Sequence, residues 1–166
     1  MIHDLKPAVA AQTVTGMLGG VLGARFVMDG GPSEGRFSLI EHPIAARGLA
    51  APLHRHTRED EYSFVLAGRW GFQLGDKVVY GEPGDLVYKP RDVWHTFWNA
   101  TDQPARLLEI ISPAGFEGYF VELDTLLRGD GVDVADIAAL LDRYGLAMDL
   151  DSIPRLVAAH GLSVDG

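Results

Sequence analysis

His54 and His56 stand one residue apart, Glu61 follows five positions later, and His95 comes further along the chain. Imidazole and carboxylate are the side chains that hold a divalent transition metal where thiolate is lacking, and this chain has no Cys. Disulfides, Fe–S clusters, thiolate zinc sites and thiol catalysis are excluded on the same ground. In a strand, residues two apart face one side and lie about 7 Å from each other. His54 and His56 can therefore aim at one point while Arg55 faces away. Glu61 enters the next strand after the polar turn Thr57–Asp60 and can return its carboxylate to that face. His95 begins a later strand, with Phe97 and Asn99 on its side. Neutral imidazoles with one carboxylate suit a single Fe, Mn, Ni, Zn, Co or Cu ion. Fewer than six protein ligands leave coordination positions open, which separates catalytic from closed structural sites.

Strands must carry these residues, and from Ala24 to Pro113 the signal is all β. Arg25–Met28, Gly35–Ile44, Tyr62–Ala67, Arg69–Leu74, Lys77–Tyr80, Leu86–Lys89, His95–Asn99 and Arg106–Ser112 are short and rich in β-branched and aromatic residues. Turn clusters such as Asp29-Gly30-Gly31-Pro32 and Glu82-Pro83-Gly84-Asp85 separate them. Many short strands at close spacing point to a sandwich or barrel rather than βαβ units. By strand parity from Glu61, Ser63 and Val65 share the metal face, whereas Tyr62, Phe64 and Leu66 face outward. Phe97 shares the face of His95, so Phe97, Ser63 and Val65 are the candidates for lining a pocket.

After Pro113 the period changes. Phe116–Arg128 reads as a helix with Phe116, Tyr119, Phe120 and Leu123 on one side. Asp133–Tyr144 reads as another, with Asp133 as N-cap, Asp136 at the capping-box position and Gly145 at its end. Asp151 or Ser152 caps a third, which runs to His160 and carries Pro154 in its first turn. Residues 145–150 read as the linker of a helix pair that superficially resembles a DNA-reading motif. Five Asp against two Arg between Asp133 and His160 argue against that use. The expected organisation is an arm and barrel over residues 1–113 and a helical extension over 114–166, packed on the barrel as one unit.

With 166 residues the chain can bury a sizeable core, and its net charge of −9 argues against a nucleic-acid partner. The four glycines of Gly16–Gly23 lack the Lys-Ser/Thr of a phosphate loop and read as an approach to a strand. Residues 1–15 read as an arm. No segment has the pattern of a signal peptide or of a bilayer-crossing helix, so a cytoplasmic protein with no membrane partner is expected. His3, His42 and His160 read as structural or solvated rather than as ligands.

At this point the chain resembles a known family. Gly48-x5-His54-x-His56-x4-Glu61-x6-Gly68 fits the first cupin motif at every defined position. Gly84-x5-Pro90-x-Asp92-x2-His95-x3-Asn99 fits the second, except that Asp92 stands where the family usually has Gly. That Gly serves a positive φ, which Asp tolerates better than most residues. The resemblance implies a mainly β fold, a cupin-type β-barrel (double-stranded β-helix, or jelly roll) over about residues 23–112 with a C-terminal helical extension. It implies one divalent metal held by His54, His56, Glu61 and His95, and a homodimer made through apolar outer surfaces. The helical tail is similar to that of single-domain quercetin-dioxygenase-like cupins. The activity expected from that likeness is a metal-dependent dioxygenase acting on a small aromatic, enol or diketone substrate, with Glu61 as candidate base. A metal-dependent isomerase or lyase of a small polar substrate is the alternative, as is a binding or sensing module without turnover. An isomerase of that kind would need a cation to grip its substrate, and Arg25, Arg36, Arg47, Arg69 and Arg106 are the candidates.

Overall fold

The alternation that sets Glu61, Ser63 and Val65 apart from Tyr62 and Phe64 recurs along neighbouring strands, and it folds the chain into two antiparallel sheets. The computed structural model describes residues 13–15, 20–129 and 131–165. The expected arm up to residue 12, His3 and residues 16–19 of the glycine-rich stretch lie outside them. In chain order the strands are β1 (Thr13–Thr15), β2 (Gly23–Met28), β3 (Ser38–Ile44), β4 (Leu53–His56), β5 (Asp60–Ala67), β6 (Trp70–Leu74), β7 (Lys77–Gly81), β8 (Leu86–Lys89), β9 (His95–Asn99) and β10 (Ala105–Ser112). Helices α1 (Glu117–Leu127) and α2 (Val134–Arg143) follow, then β11 (Leu146–Asp149) and α3 (Ser152–His160). One sheet runs β1-β2-β3-β10-β5-β8 and the other β11-β4-β9-β6-β7.

Side chains from both inner faces fill the space between the sheets. Ile40 and Ile44 of β3, Val65 of β5, Trp70 and Phe72 of β6 and Leu107 and Ile111 of β10 are almost wholly buried there. Each such side chain contributes about 1.5–3 kcal/mol through apolar area removed from water. On β9 all five residues are buried, because both of its faces are covered. His95 and Phe97 face the interior, while Trp98 packs with Leu49, Leu156 and Leu162 under α3, its ring stacked on His160 at 4.2 Å.

The motif glycines act through their backbones. A Cβ on Gly48 would lie 2.4 Å from Val21 Cγ1, and Gly68 holds φ +80 with no room for a Cβ beside Ala105. Asp92 has φ 63, the left-handed conformation expected where the family carries Gly. Its amide donates to His56 O at 2.7 Å, so this turn braces a strand of the metal face.

The helices fall within a residue or two of their expected bounds. Asp133 caps α2 by accepting from the Ala135 amide, and Gly145 and Gly161 end their helices at φ 62 and 63. Two local expectations change. The Asp151 side chain makes no capping bond; Ser152 Oγ instead donates to Asp149 O and accepts from the Leu53 amide. The linker after Gly145 is strand β11, hydrogen-bonded to β4 with Leu146 opposite His56 and Met148 opposite His54. The free edge of β4 offers unpaired backbone groups, and a four-residue segment of low β-propensity satisfies them.

Candidate metal centre

Three strands bring the four candidate ligands together. β4 presents His54 and His56 inward, β5 presents Glu61, and the β4–β9 pairing sets His54 directly opposite His95. One donor atom from each of His54, His56, Glu61 and His95 lies within 4.8 Å of the others, and all four side chains are buried. Two of the imidazoles are oriented by backbone carbonyls. His54 Nδ1 donates to Pro52 O at 2.8 Å and His95 Nδ1 donates to Val93 O at 2.9 Å. Those bonds place the proton on Nδ1 and leave each Nε2 lone pair free, the tautomer a metal-binding histidine needs. Burial, then the neighbouring imidazoles, hold His54 well below the usual histidine range. His95 is lowered by burial, with Glu61 offsetting part of the shift.

The donor set fits a divalent cation. His95 Nε2, without a proton in this tautomer, faces Glu61 Oε2 at 3.1 Å, two lone pairs turned toward each other. His56 is buried, and among the described residues neither ring nitrogen has a hydrogen-bond partner: Glu61 Oε1 stands 3.4 Å from Nε2 and Glu59 Oε2 3.7 Å from Nδ1. Buried polar atoms left facing acceptors in this way call for a cation among them.

The residue with no signal in the sequence is Lys89. It is fully buried, its Nζ 2.9 Å from Glu61 Oε2 and 2.8 Å from Glu109 Oε2, with the ammonium 4.2 Å from the Phe97 ring centre. The register explains both contacts. Glu61 pairs with Lys89 across β5–β8, and Ser63 pairs with Glu109 across β5–β10. Ser63 Oγ donates to the Glu109 carboxylate at 2.9 Å. Burial alone would push Glu61 up, but Lys89, His56 and His95 outweigh it and hold the carboxyl well below its usual range. Glu109 is pushed up to about 7 by burial, against the opposing pull of Lys89. Burial disfavours the Lys89 charge, and the two carboxylates reverse that and raise its pKa.

A cavity of about 190 Å³ opens in front of these groups. His54, His56, Glu61 and Glu109 give its polar end, with His42 beside them. Phe97 lines it from the barrel, Phe116 and Phe120 from the start of α1, Ile137 and Leu141 from α2, and Leu146 and Met148 from β11. Ser63 and Val65 face inward and are buried, Ser63 against Glu109 and Val65 in the core, and neither borders this cavity. The five arginines turn outward into ion pairs: Arg25 and Arg106 with Glu41, Arg36 with Glu34, Arg47 with Asp102 and Arg69 with Glu82.

Residues 43–111, a span that holds all four candidate ligands, match the family model described as Cupin domain. The barrel is a cupin fold. Solved structures agree. A predicted oxalate decarboxylase from Thermotoga maritima superposes with a TM-score of 0.56 at 17% identity, over 64% of this chain and 99% of that one. PAC13 from Streptomyces, solved with uridine, gives 0.54 at 14% identity over 70% and 88%. A sugar phosphate isomerase of the cupin superfamily from Silicibacter pomeroyi gives 0.52 at 19% identity over 61% and 70%. At such identities the likeness is one of fold, and fold does not pass on a reaction. No curated protein matches the chain. The matched cupin span ends before α1, so the helices and β11 that wall the cavity lie outside it. Among the described residues no helix is long and apolar enough to cross a membrane.

Proposed function

We propose that this cupin is a metal-dependent, dioxygenase-like enzyme acting on a small organic molecule that carries an aromatic hydroxyl, enol or diketone. One observation carries the reading: the His/Glu cluster opens onto a cavity walled by hydrocarbon, to which no arginine or lysine among the described residues is turned. When bound, a divalent transition metal would supply charge stabilisation and open positions at His54, His56, Glu61 and His95. The chain's own groups supply the rest. Pro52 O and Val93 O fix the imidazoles. Lys89 engages Glu61 Oε2, and among the described residues nothing hydrogen-bonds Oε1. Oε1 is thus the atom placed to accept a hydrogen bond from a substrate hydroxyl. Against the upward push of burial, Lys89 holds the carboxyl well below its usual range, which makes Glu61 a weaker base than the sequence reading expects. The aromatic walls keep water from the reacting end.

An isomerase or lyase of a phosphorylated or carboxylated substrate is less well supported. Its substrate would need a cation to grip it, the five arginines are engaged outside, and Lys89 is neutralised by two carboxylates. The test is to load the protein with Fe(II) or Mn(II), measure metal per chain, and follow O2 uptake with small phenols, catechols and diketones. Substrate-dependent uptake is expected from a chain holding one metal. Full metal occupancy with no uptake on any of them would sink the oxygenase reading. His95→Ala should lose most of the bound metal and keep the β circular-dichroism signal; unchanged stoichiometry would remove the ligand assignment.

A further inference from the structure

The cavity carries information about the molecule it holds. An engineered apolar cavity of about 150 Å³ takes up benzene, so the roughly 190 Å³ here matches one ring with a short substituent. A three-ring flavonol exceeds that volume and would have to project through the mouth. The walls contribute Phe97, Phe116 and Phe120, and the exposed Leu127 and Leu150 mark the mouth.

Apart from His56, whose unpartnered ring keeps one N–H, the polar side chains that face the cavity among the described residues offer acceptors. His42 Nδ1 donates to Gly23 O at 2.9 Å, so its proton sits there and Nε2 carries a lone pair. Among the described residues nothing hydrogen-bonds that Nε2, and the ring lies against Phe120 and Phe97 at the edge of the space. Burial holds the imidazole down at about 4, so it stays neutral near pH 7. Glu61 is a carboxylate on the same side, and Glu109, raised by burial to about 7, shares Lys89 with it. Acceptors and negative charge select a ligand that brings hydrogen-bond donors and no anionic group of its own.

We propose that the cavity binds a neutral, single-ring phenol or enol, with its ring between Phe97, Phe116 and Phe120 and its hydroxyl toward His42 and Glu61. This deepens the reading above and rests on it for the chemistry at the hydroxyl, but binding alone can be read without metal. His42 is then a specificity-determining residue outside the ligand set, and the size limit comes from the helices and β11.

The experiment is calorimetric titration of the metal-free, full-length protein with 4-ethylphenol, ethylbenzene, 4-ethylbenzoate and quercetin. 4-Ethylphenol should bind tightest, with ethylbenzene about three- to tenfold weaker, the measure of one neutral hydrogen bond. 4-Ethylbenzoate and quercetin should both bind more weakly still. His42→Phe should bring 4-ethylphenol down to the level of ethylbenzene and leave ethylbenzene unchanged. Equal or tighter binding of the benzoate or of quercetin would overturn the proposal, as would no binding by any probe. Equal affinity for the phenol and ethylbenzene would overturn the role of His42. Phenol binding by a chain that takes up no metal would leave this inference standing and remove only the enzymatic reading; metal-dependent O2 uptake without phenol binding would do the reverse.

Discussion

Lys89→Met removes a cation from between two buried carboxylates while keeping the length of the side chain. At an effective dielectric of about 20, contacts of 2.9 Å to Glu61 and 2.8 Å to Glu109 are each worth roughly 6 kcal/mol before desolvation. Burying three charged groups offsets most of that gain, so the intact triad contributes little net stability. Breaking it is different, because two carboxylates remain in the interior without a counter-charge. The expected loss is about 3–5 kcal/mol, or roughly 6–20 °C in Tm for a domain of this size. Glu109, already raised to about 7, would respond by taking up a proton at neutral pH. The variant Lys89→Met/Glu109→Gln removes one charge of each sign and should recover most of the loss. Urea unfolding of the metal-free protein and of both variants reads this directly. A bound divalent cation would itself face Glu61, so the single variant should suffer less when metal is loaded. If Lys89→Met unfolded within about 0.5 kcal/mol of the parent, or if the double variant were no better than the single, the electrostatic account of Lys89 would be refuted.

Two further outcomes follow from other parts of the molecule. The His42 imidazole titrates near 4 in the fold against about 6.5 when unfolded. The unfolded chain therefore binds the proton first, and this group's stabilisation is complete above pH 6.5 and is lost as pH falls toward 4. The loss totals about 3 kcal/mol. His54 and His95 are lowered too and add slope of the same sign, so the measurement is the difference in urea midpoint between pH 7 and pH 5 for parent and His42→Phe. A variant as pH-sensitive as the parent would contradict the buried, neutral His42. At Asp92, φ 63 predicts that Val costs about 1–2 kcal/mol whereas Gly is tolerated, and because Asp92 N braces His56 O, the Val variant should also bind metal more weakly. Equal stability of the Val and Gly variants would show that the turn does not need the left-handed conformation.

What could be read along the chain was everything governed by local geometry. Alternation along one strand put His54 with His56 and Glu61 with Ser63 and Val65, turn chemistry marked Gly84, and the likeness to the cupin motifs marked Gly68 and the positive φ of Asp92. Helix periodicity and caps placed α1, α2 and α3 to within a residue or two. Tertiary structure decided whatever depends on which strand lies beside which. Lys89, Glu109 and Ser63 sit on three strands far apart in sequence, and only the β5–β8 and β5–β10 registers make them one ion-paired cluster around Glu61. Nothing in Leu86-Val87-Tyr88-Lys89 marks its lysine as buried, because a charged residue at the end of a short strand is ordinarily solvated. The segment Leu146–Asp149 became a strand because the edge of β4 lay open to it, not through its own propensity. The five arginines turn away from the site because each pairs with a carboxylate outside it. The cavity belongs to this second level: parity could align His54, His56 and Glu61 at its polar end, but Glu109 joins them only through register, and its walls, its size and the lack of cations among its described lining residues come from helices and a strand folded back over the barrel.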